Sequence, residues 1–176
     1  MMLAAVAVVA FVAVVGAVFW LSEQQARRMQ VGIPDFSSQE FQLTDQSGAS
    51  RSAADYAGAP VALFFGYTYC PDVCPMTLTL LANALDEVGD RGLDTAALQT
   101  IFVTVDAERD TPEQLAAYLS LFDTEVTGLT GSSEALVKVQ RDFGTYASRV
   151  EREDGVVLWD HTATVYLYEA DGRFTG

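Results

Sequence analysis

Two thiols and one imidazole are all that this chain of 176 residues carries: Cys70, Cys74 and His161. The cysteines lie in Tyr67-Thr68-Tyr69-Cys70-Pro71-Asp72-Val73-Cys74-Pro75, and the histidine lies far downstream in Trp159-Asp160-His161-Thr162. Such a set narrows the chemistry to thiol redox work, soft-metal binding, or both. Four residues apart in a helix or turn, two sulfurs can face the same side. A helix starting beside them lowers the thiol pKa, because its unpaired N–H groups favour negative charge. Two thiolates and one imidazole suit Cu(I) in a three-coordinate site, or Zn(II) if a fourth ligand or water joins them. Met76 offers an extra thioether, although core packing accounts for it as well. Phe65, Tyr67 and Tyr69 are placed to shield such a site or simply to fill the core.

The order of apolar patterns says how these residues meet. Val61 to Gly66 is a short apolar run with a glycine stop, a buried strand. Pro75 to about Val88 reads as a helix, with Met76, Leu80, Leu81, Ala84, Leu85 and Val88 at helical spacing and Pro75 in the first turn. Thr100 to Val105 is a second buried strand. Thr111-Pro112-Glu113-Gln114 is a helix start, with Thr111 as N-cap and Pro112 at the first position. Gly128 to Gly131 reads as a loop around a brief strand, and Ser132 or Ser133 caps a helix running to about Phe143. Ala163 to Tyr168 is a further strand, closed by the turn Ala170-Asp171-Gly172-Arg173. Upstream, Phe41, Leu43 and the turn Asp45-Gln46-Ser47-Gly48 give a short hairpin. Alternating strand and helix predict an α/β sheet covered on both faces. A parallel sheet would bring His161 to the edge where Val61 to Gly66 ends, and ligands of such folds collect there. Asp160 points away from its neighbour in extended chain, so it is no natural partner for His161. Asp106-Ala107-Glu108-Arg109-Asp110 is a charge cluster at a strand end. It reads equally as a docking surface, an Arg–Asp pair, or a solvated loop.

The net charge of −14 disfavours nucleic acid as a partner, because phosphate backbones would be repelled. Leu3 to Leu21 carries no charge, and as a helix it would span about 28 Å, close to a bilayer core. The sequence predicts one transmembrane anchor over 3–21, a stalk over 22–34 and a folded domain over 35–176. A cleaved signal peptide would want a basic start that is missing here. Arg27 and Arg28 follow the apolar run, so the positive-inside rule alone would leave the domain in the cytoplasm.

Three blocks carry a resemblance. Gly66 to Pro75 as quoted, Val105-Asp106-Ala107-Glu108-Arg109-Asp110-Thr111-Pro112-Glu113, and Asp160-His161-Thr162 through Tyr166-Leu167 resemble the SCO/SenC family. These are membrane-anchored copper proteins for cytochrome c oxidase assembly. The resemblance implies a thioredoxin-like fold with an N-terminal hairpin, and copper held by Cys70, Cys74 and His161. It implies delivery of copper to the copper A site of oxidase subunit II, or reduction of that site's cysteines by Cys70 and Cys74. It places the domain in the periplasm or the mitochondrial intermembrane space, on a single-pass inner-membrane anchor and against the charge rule. A copper donor and a thiol reductant are then needed. An oxidising compartment favours a Cys70–Cys74 disulfide, which would act as a switch because so short a loop adds little stability. The family continues past the Asp-Gly turn with a last strand and helix, so the expectation is that both are missing here.

Two function classes follow. A copper-transfer protein needs all three ligands, whereas a thiol–disulfide reductase needs only the cysteines. The histidine stands where thioredoxin oxidoreductases carry a cis-proline, which favours copper. A peroxidase would want Thr where Tyr67 stands, and a structural zinc site would want a fourth ligand.

Overall fold

A computed structural model describes residues 13–18, 20 and 32–176 of the chain. Contacts divide it into two units, Met1–Ile33 and Pro34–Gly176. In the first unit, residues 13–18 and Trp20 are helical. Most of the predicted anchor and stalk lies outside the described residues. Among the described residues no helix is long and apolar enough to cross a membrane.

The second unit is built on six strands in the order β2-β1-β5-β4-β3-β8. β1 (Leu43–Asp45) and β2 (Ser50–Arg51) form the predicted hairpin. Asp45 closes its turn by accepting from the Ser47 amide at 2.8 Å and the Ala49 amide at 3.0 Å. β3 (Val61–Gly66), β4 (Gln99–Thr104) and β5 (Val126–Thr130) run parallel in the centre. Every residue of β3 is buried, as expected of a central strand covered on both faces. β8 (Val165–Tyr168) pairs antiparallel with β3, and the chain then returns along it, with Thr175 donating to the Leu167 carbonyl at 2.9 Å.

α1 (Val73–Asp90) and α2 (Pro112–Leu119) cover one face, and α3 (Ser133–Asp142) covers the other. The first layer holds Phe64, Phe102 and Tyr118 in ring contact, while Phe65 joins Phe143 and Tyr166 in the second. Thr111 caps α2 through the Gln114 amide at 3.3 Å, and Ser132 caps α3 through the Ala135 amide at 3.2 Å, as the sequence predicts.

Three expectations change. α1 begins at Val73, two residues before Pro75, and its buried line is Cys74, Leu78 and Ala82. That turns Met76, Leu80 and Ala84 of the predicted face outward, so Met76 is not a core residue, while Leu81, Leu85 and Val88 of the same face stay half-buried. The segment Gly128 to Gly131, read as a loop around a brief strand, is strand as far as Thr130, the end of β5. A Cβ on Gly128 would lie 2.6 Å from Leu119, so glycine here marks close helix–sheet packing, not a bend. Finally, β6 (Ala147–Glu151) and β7 (Val157–His161) form a separate two-stranded sheet absent from the sequence reading. Asp154-Gly155 at its turn, with Gly155 at φ +78, was the available signal.

Candidate metal centre

The two cysteines and the histidine come together from opposite ends of the domain sequence. Their ligand atoms all lie within 4.8 Å of one another. Cys70 ends the loop after β3, and Cys74 occupies the first turn of α1. Cys74 is fully buried and Cys70 half-buried, and both are free thiols. The Cys74 amide donates to Cys70 Sγ at 3.4 Å, so an otherwise unpaired N–H of the helix start serves the outer sulfur.

His161 reaches the same edge for a reason opposite to the one expected. The strand after it is antiparallel to β3, so it starts where β3 ends. In a parallel strand the histidine would sit at the far edge. His161 Nε2 lies 3.4 Å from Cys74 Sγ, and Nδ1 lies 3.0 Å from the Thr162 carbonyl. A carbonyl only accepts, so Nδ1 carries hydrogen. The neutral ring then turns its Nε2 lone pair toward the sulfurs. Asp160 is exposed, as expected of the residue that points the other way.

Two rings wall the imidazole, Tyr67 at 5.7 Å and Phe64 at 6.4 Å between centroids. The expected Phe65 faces the other layer, because successive strand residues alternate. Tyr69 is exposed rather than shielding. Gly66 is the other determinant that sequence reasoning passed over: a Cβ there would lie 2.8 Å from Cys74 Sγ and 2.7 Å from the Phe102 ring.

Charge is unevenly shared by the two sulfurs. The hydrogen bond from Cys74 holds the Cys70 thiol well below its ordinary range against the cost of burial, helped by His161 and by the Asp72 and Cys74 amides. The same bond, then burial, pushes Cys74 up. Burial works against a charged His161, but its bonds to Cys70 and the Thr162 carbonyl win and raise it. The arrangement therefore favours negative charge on Cys70 and the proton on Cys74.

The Asp106–Asp110 segment is an Arg–Asp pair and no solvated loop, for Asp106 and Asp110 are both buried. Asp106 pairs with Arg109. Asp110 accepts from the Thr68 amide at 2.9 Å, the Thr68 hydroxyl at 2.6 Å and the Thr104 hydroxyl at 2.5 Å. It thereby ties the cysteine loop to the end of β4. Burial pushes the Asp110 carboxyl up despite these bonds.

A cleft of about 890 Å³ lies at the far end of the domain around Phe36, Phe41, Tyr56 and Lys138. A smaller one of about 400 Å³ adjoins the ligands, lined by Tyr69, Arg109 and Trp159. Donor chemistry, not volume, locates the site. Two soft sulfurs and one borderline nitrogen within reach of a single ion fit Cu(I). Among the described residues no fourth carboxylate, thiol or imidazole joins them as tetrahedral zinc would want.

The comparisons with known proteins agree with this geometry. The SCO1/SenC family matches residues 33–176. The mitochondrial SCO2 homolog of Danio rerio is 38% identical over 152 residues, covering 86% of this chain and 52% of that protein. The mitochondrial SCO1 homolog of Homo sapiens is 36% identical over 154 residues, covering 86% of this chain and 50% of that protein. The chain thus spans about half the length of these curated relatives. Copper-bound ScoI of Bradyrhizobium japonicum superposes with a TM-score of 0.72 at 42% identity, over 78% of this chain and 86% of that one. Copper-bound ScoI of Arabidopsis thaliana gives 0.72 at 33% identity, over 78% and 84%. The α/β sheet described above is therefore the thioredoxin-like fold of Sco proteins, and the chain belongs to the SCO1/SenC family.

Proposed function

We propose that this protein binds copper through Cys70, Cys74 and His161 and delivers it to the copper A site of cytochrome c oxidase subunit II. The observation that carries the reading is the convergence of two sulfurs and one imidazole nitrogen within 4.8 Å at a sheet edge. Copper-bound relatives at 42% and 33% identity support the choice of metal. Cys70, the less buried sulfur, is the ligand an incoming acceptor thiolate reaches first. Cys74 and His161 lie behind it. Exchange of one soft ligand for another then passes the ion without releasing it to water. The apolar run of Leu3 to Leu21 supports anchorage of the domain at an inner membrane. The mitochondrial relatives support an intermembrane-space or periplasmic setting.

The site must be reduced before it takes Cu(I), so a thiol reductant and a copper donor belong to the cycle. In the oxidised form Cys70 and Cys74 would be joined as a disulfide.

A second reading rests on the half-buried Cys70 with buried Cys74 behind it. Cys70 thiolate would attack an acceptor disulfide, releasing one acceptor thiolate and forming a mixed disulfide. Cys74, giving up its proton, would then attack Cys70 and release the second acceptor thiol, leaving Cys70–Cys74 oxidised by two electrons. Anaerobic mixing of copper-loaded protein with an apo subunit II fragment separates the two readings. Copper appearing on an already reduced acceptor supports delivery. Acceptor thiols appearing without copper, and undiminished in His161→Ala, overturn it in favour of the reductase.

A further inference from the structure

The cysteine loop and the histidine strand belong to different sheets. β7 pairs with β6 alone, and no ladder joins that pair to the six-stranded sheet. Backbone pairing reaches His161 only through β8, which follows it and sets the end of the sheet at which it stands, so the approach of β7 itself to the cysteine loop falls to side chains. Arg109 makes the direct link. Its guanidinium is paired with the buried Asp106. Asp106 is in turn fixed, its amide donating to the Thr104 hydroxyl at 3.0 Å at the end of β4. From there Arg109 Nη1 donates to the Val157 carbonyl, the first residue of β7, at 2.9 Å. The same guanidinium lies over the Tyr69 ring at 5.1 Å and the Tyr67 ring at 5.8 Å, both on the cysteine loop. Tyr67 then stands edge-to-face with the His161 ring. One planar cation thus touches the cysteine loop, the histidine strand and the core.

We propose that Arg109 is a positioning residue for the metal centre, a clamp that acts on copper only by holding the His161 strand against the cysteine loop. Asp110, one residue on, does the corresponding work for the cysteines through Thr68. The segment between β4 and α2 would then divide its labour, with Arg109 serving the nitrogen ligand and Asp110 the sulfur ligands. This inference rests on the copper reading above. A lysine could keep the charge beside Asp106, but it lacks the planar fork that bonds Asp106 and Val157 together while lying over two rings.

The test is a double-mutant cycle on the full chain in detergent micelles. Cu(I) affinity is measured by competition with a chromophoric chelator, and the ligand-field spectrum of the Cu(II) form is recorded alongside. Arg109→Gln should weaken Cu(I) binding about tenfold, as supporting residues around metal ligands commonly do. It should also shift the Cu(II) spectrum. In the His161→Ala background the same change should cost nothing, because the clamp then has no ligand to hold. Asp110→Asn should weaken binding in both backgrounds. Arg109→Lys should show a smaller loss with the same dependence on His161, and it carries the measurement if Arg109→Gln fails to fold. An equal loss with and without His161, or no loss at all, overturns the clamp. Failure of the unmutated chain to bind copper would instead defeat the copper reading beneath it.

Discussion

The two limbs of the metal centre are built to different standards. The cysteine limb leaves a fully buried central strand paired along its whole length with β4 and from Val61 to Phe64 with β8, and Asp110 fastens its loop through two bonds to Thr68. The histidine limb is a two-stranded hairpin in which no residue is classed as fully buried. It is tied to the domain by the chain running on into β8 and, along β7 itself, by side chains such as Arg109. Two ligands are thus set by the core itself and one by a peripheral device. Under the copper-delivery reading proposed above, such a division lets the third ligand yield without disturbing the sheet.

The comparison breaks most severely at the sulfurs. Cys74→Ser or Cys70→Ser should abolish stoichiometric copper binding, measured as copper per chain after gel filtration. His161→Ala should leave a weaker two-sulfur site. Equal retention of copper in all three variants would contradict the division into limbs. Next in size, Asp110→Ala strands the Thr68 amide and two threonine hydroxyls in a buried place. It should cost about 2–3 kcal/mol of stability, read from chemical denaturation. A loss under half a kcal/mol would show the loop to be held by something else.

The pH dependence of copper affinity should separate the limbs more finely. Cys70, held low, is already a thiolate and contributes no proton. Cys74, held high, must lose one, so log affinity for Cu(I) should rise by about one per pH unit near neutrality. His161 is raised, so below its pKa a second proton competes and the slope should approach about two. His161→Ala should remove only that acidic steepening. A flat profile near neutral pH would mean that Cys74 is not the protonated sulfur. The smallest effect belongs to Met76, which is exposed on the outer side of α1. Met76→Ala should change copper affinity and stability by under about 0.5 kcal/mol. A larger loss of affinity would restore it as a ligand.

The cysteine limb was legible in the sequence because it obeys local rules. An apolar run stopped by glycine, then a proline-flanked cysteine pair, then helical spacing leaves few alternatives. The caps at Thr111 and Ser132 were equally readable, since each depends on residues within a few positions. The hairpin carrying His161 was not, for β6 and β7 are short and partly exposed, and β7 opens on three apolar residues in a row, so the period-2 signal of a strand is missing. The part of the predicted face that turns outward on α1 has a different cause. Met76 and Leu80 fit the helical period as well as Leu78 and Ala82 do, and only the burial of Cys74 decides between them. The role of Gly66 was hidden because a missing Cβ speaks only once the neighbouring sulfur is in place. Phe64 and Phe65 exchanged roles for the simplest reason, that a one-residue shift changes the face of a strand.

The domain has a direction that bears on how it can be handled. Its first residues are pinned at one pole, where the Phe36 amide bonds the Gly172 carbonyl at 2.7 Å, beside the strand end at which Val61 pairs with Tyr168. The ligands sit at the other end of β3, about 17 Å further along. A pull applied at Pro34 would therefore act at the pole opposite the three ligands and leave their end of the sheet open.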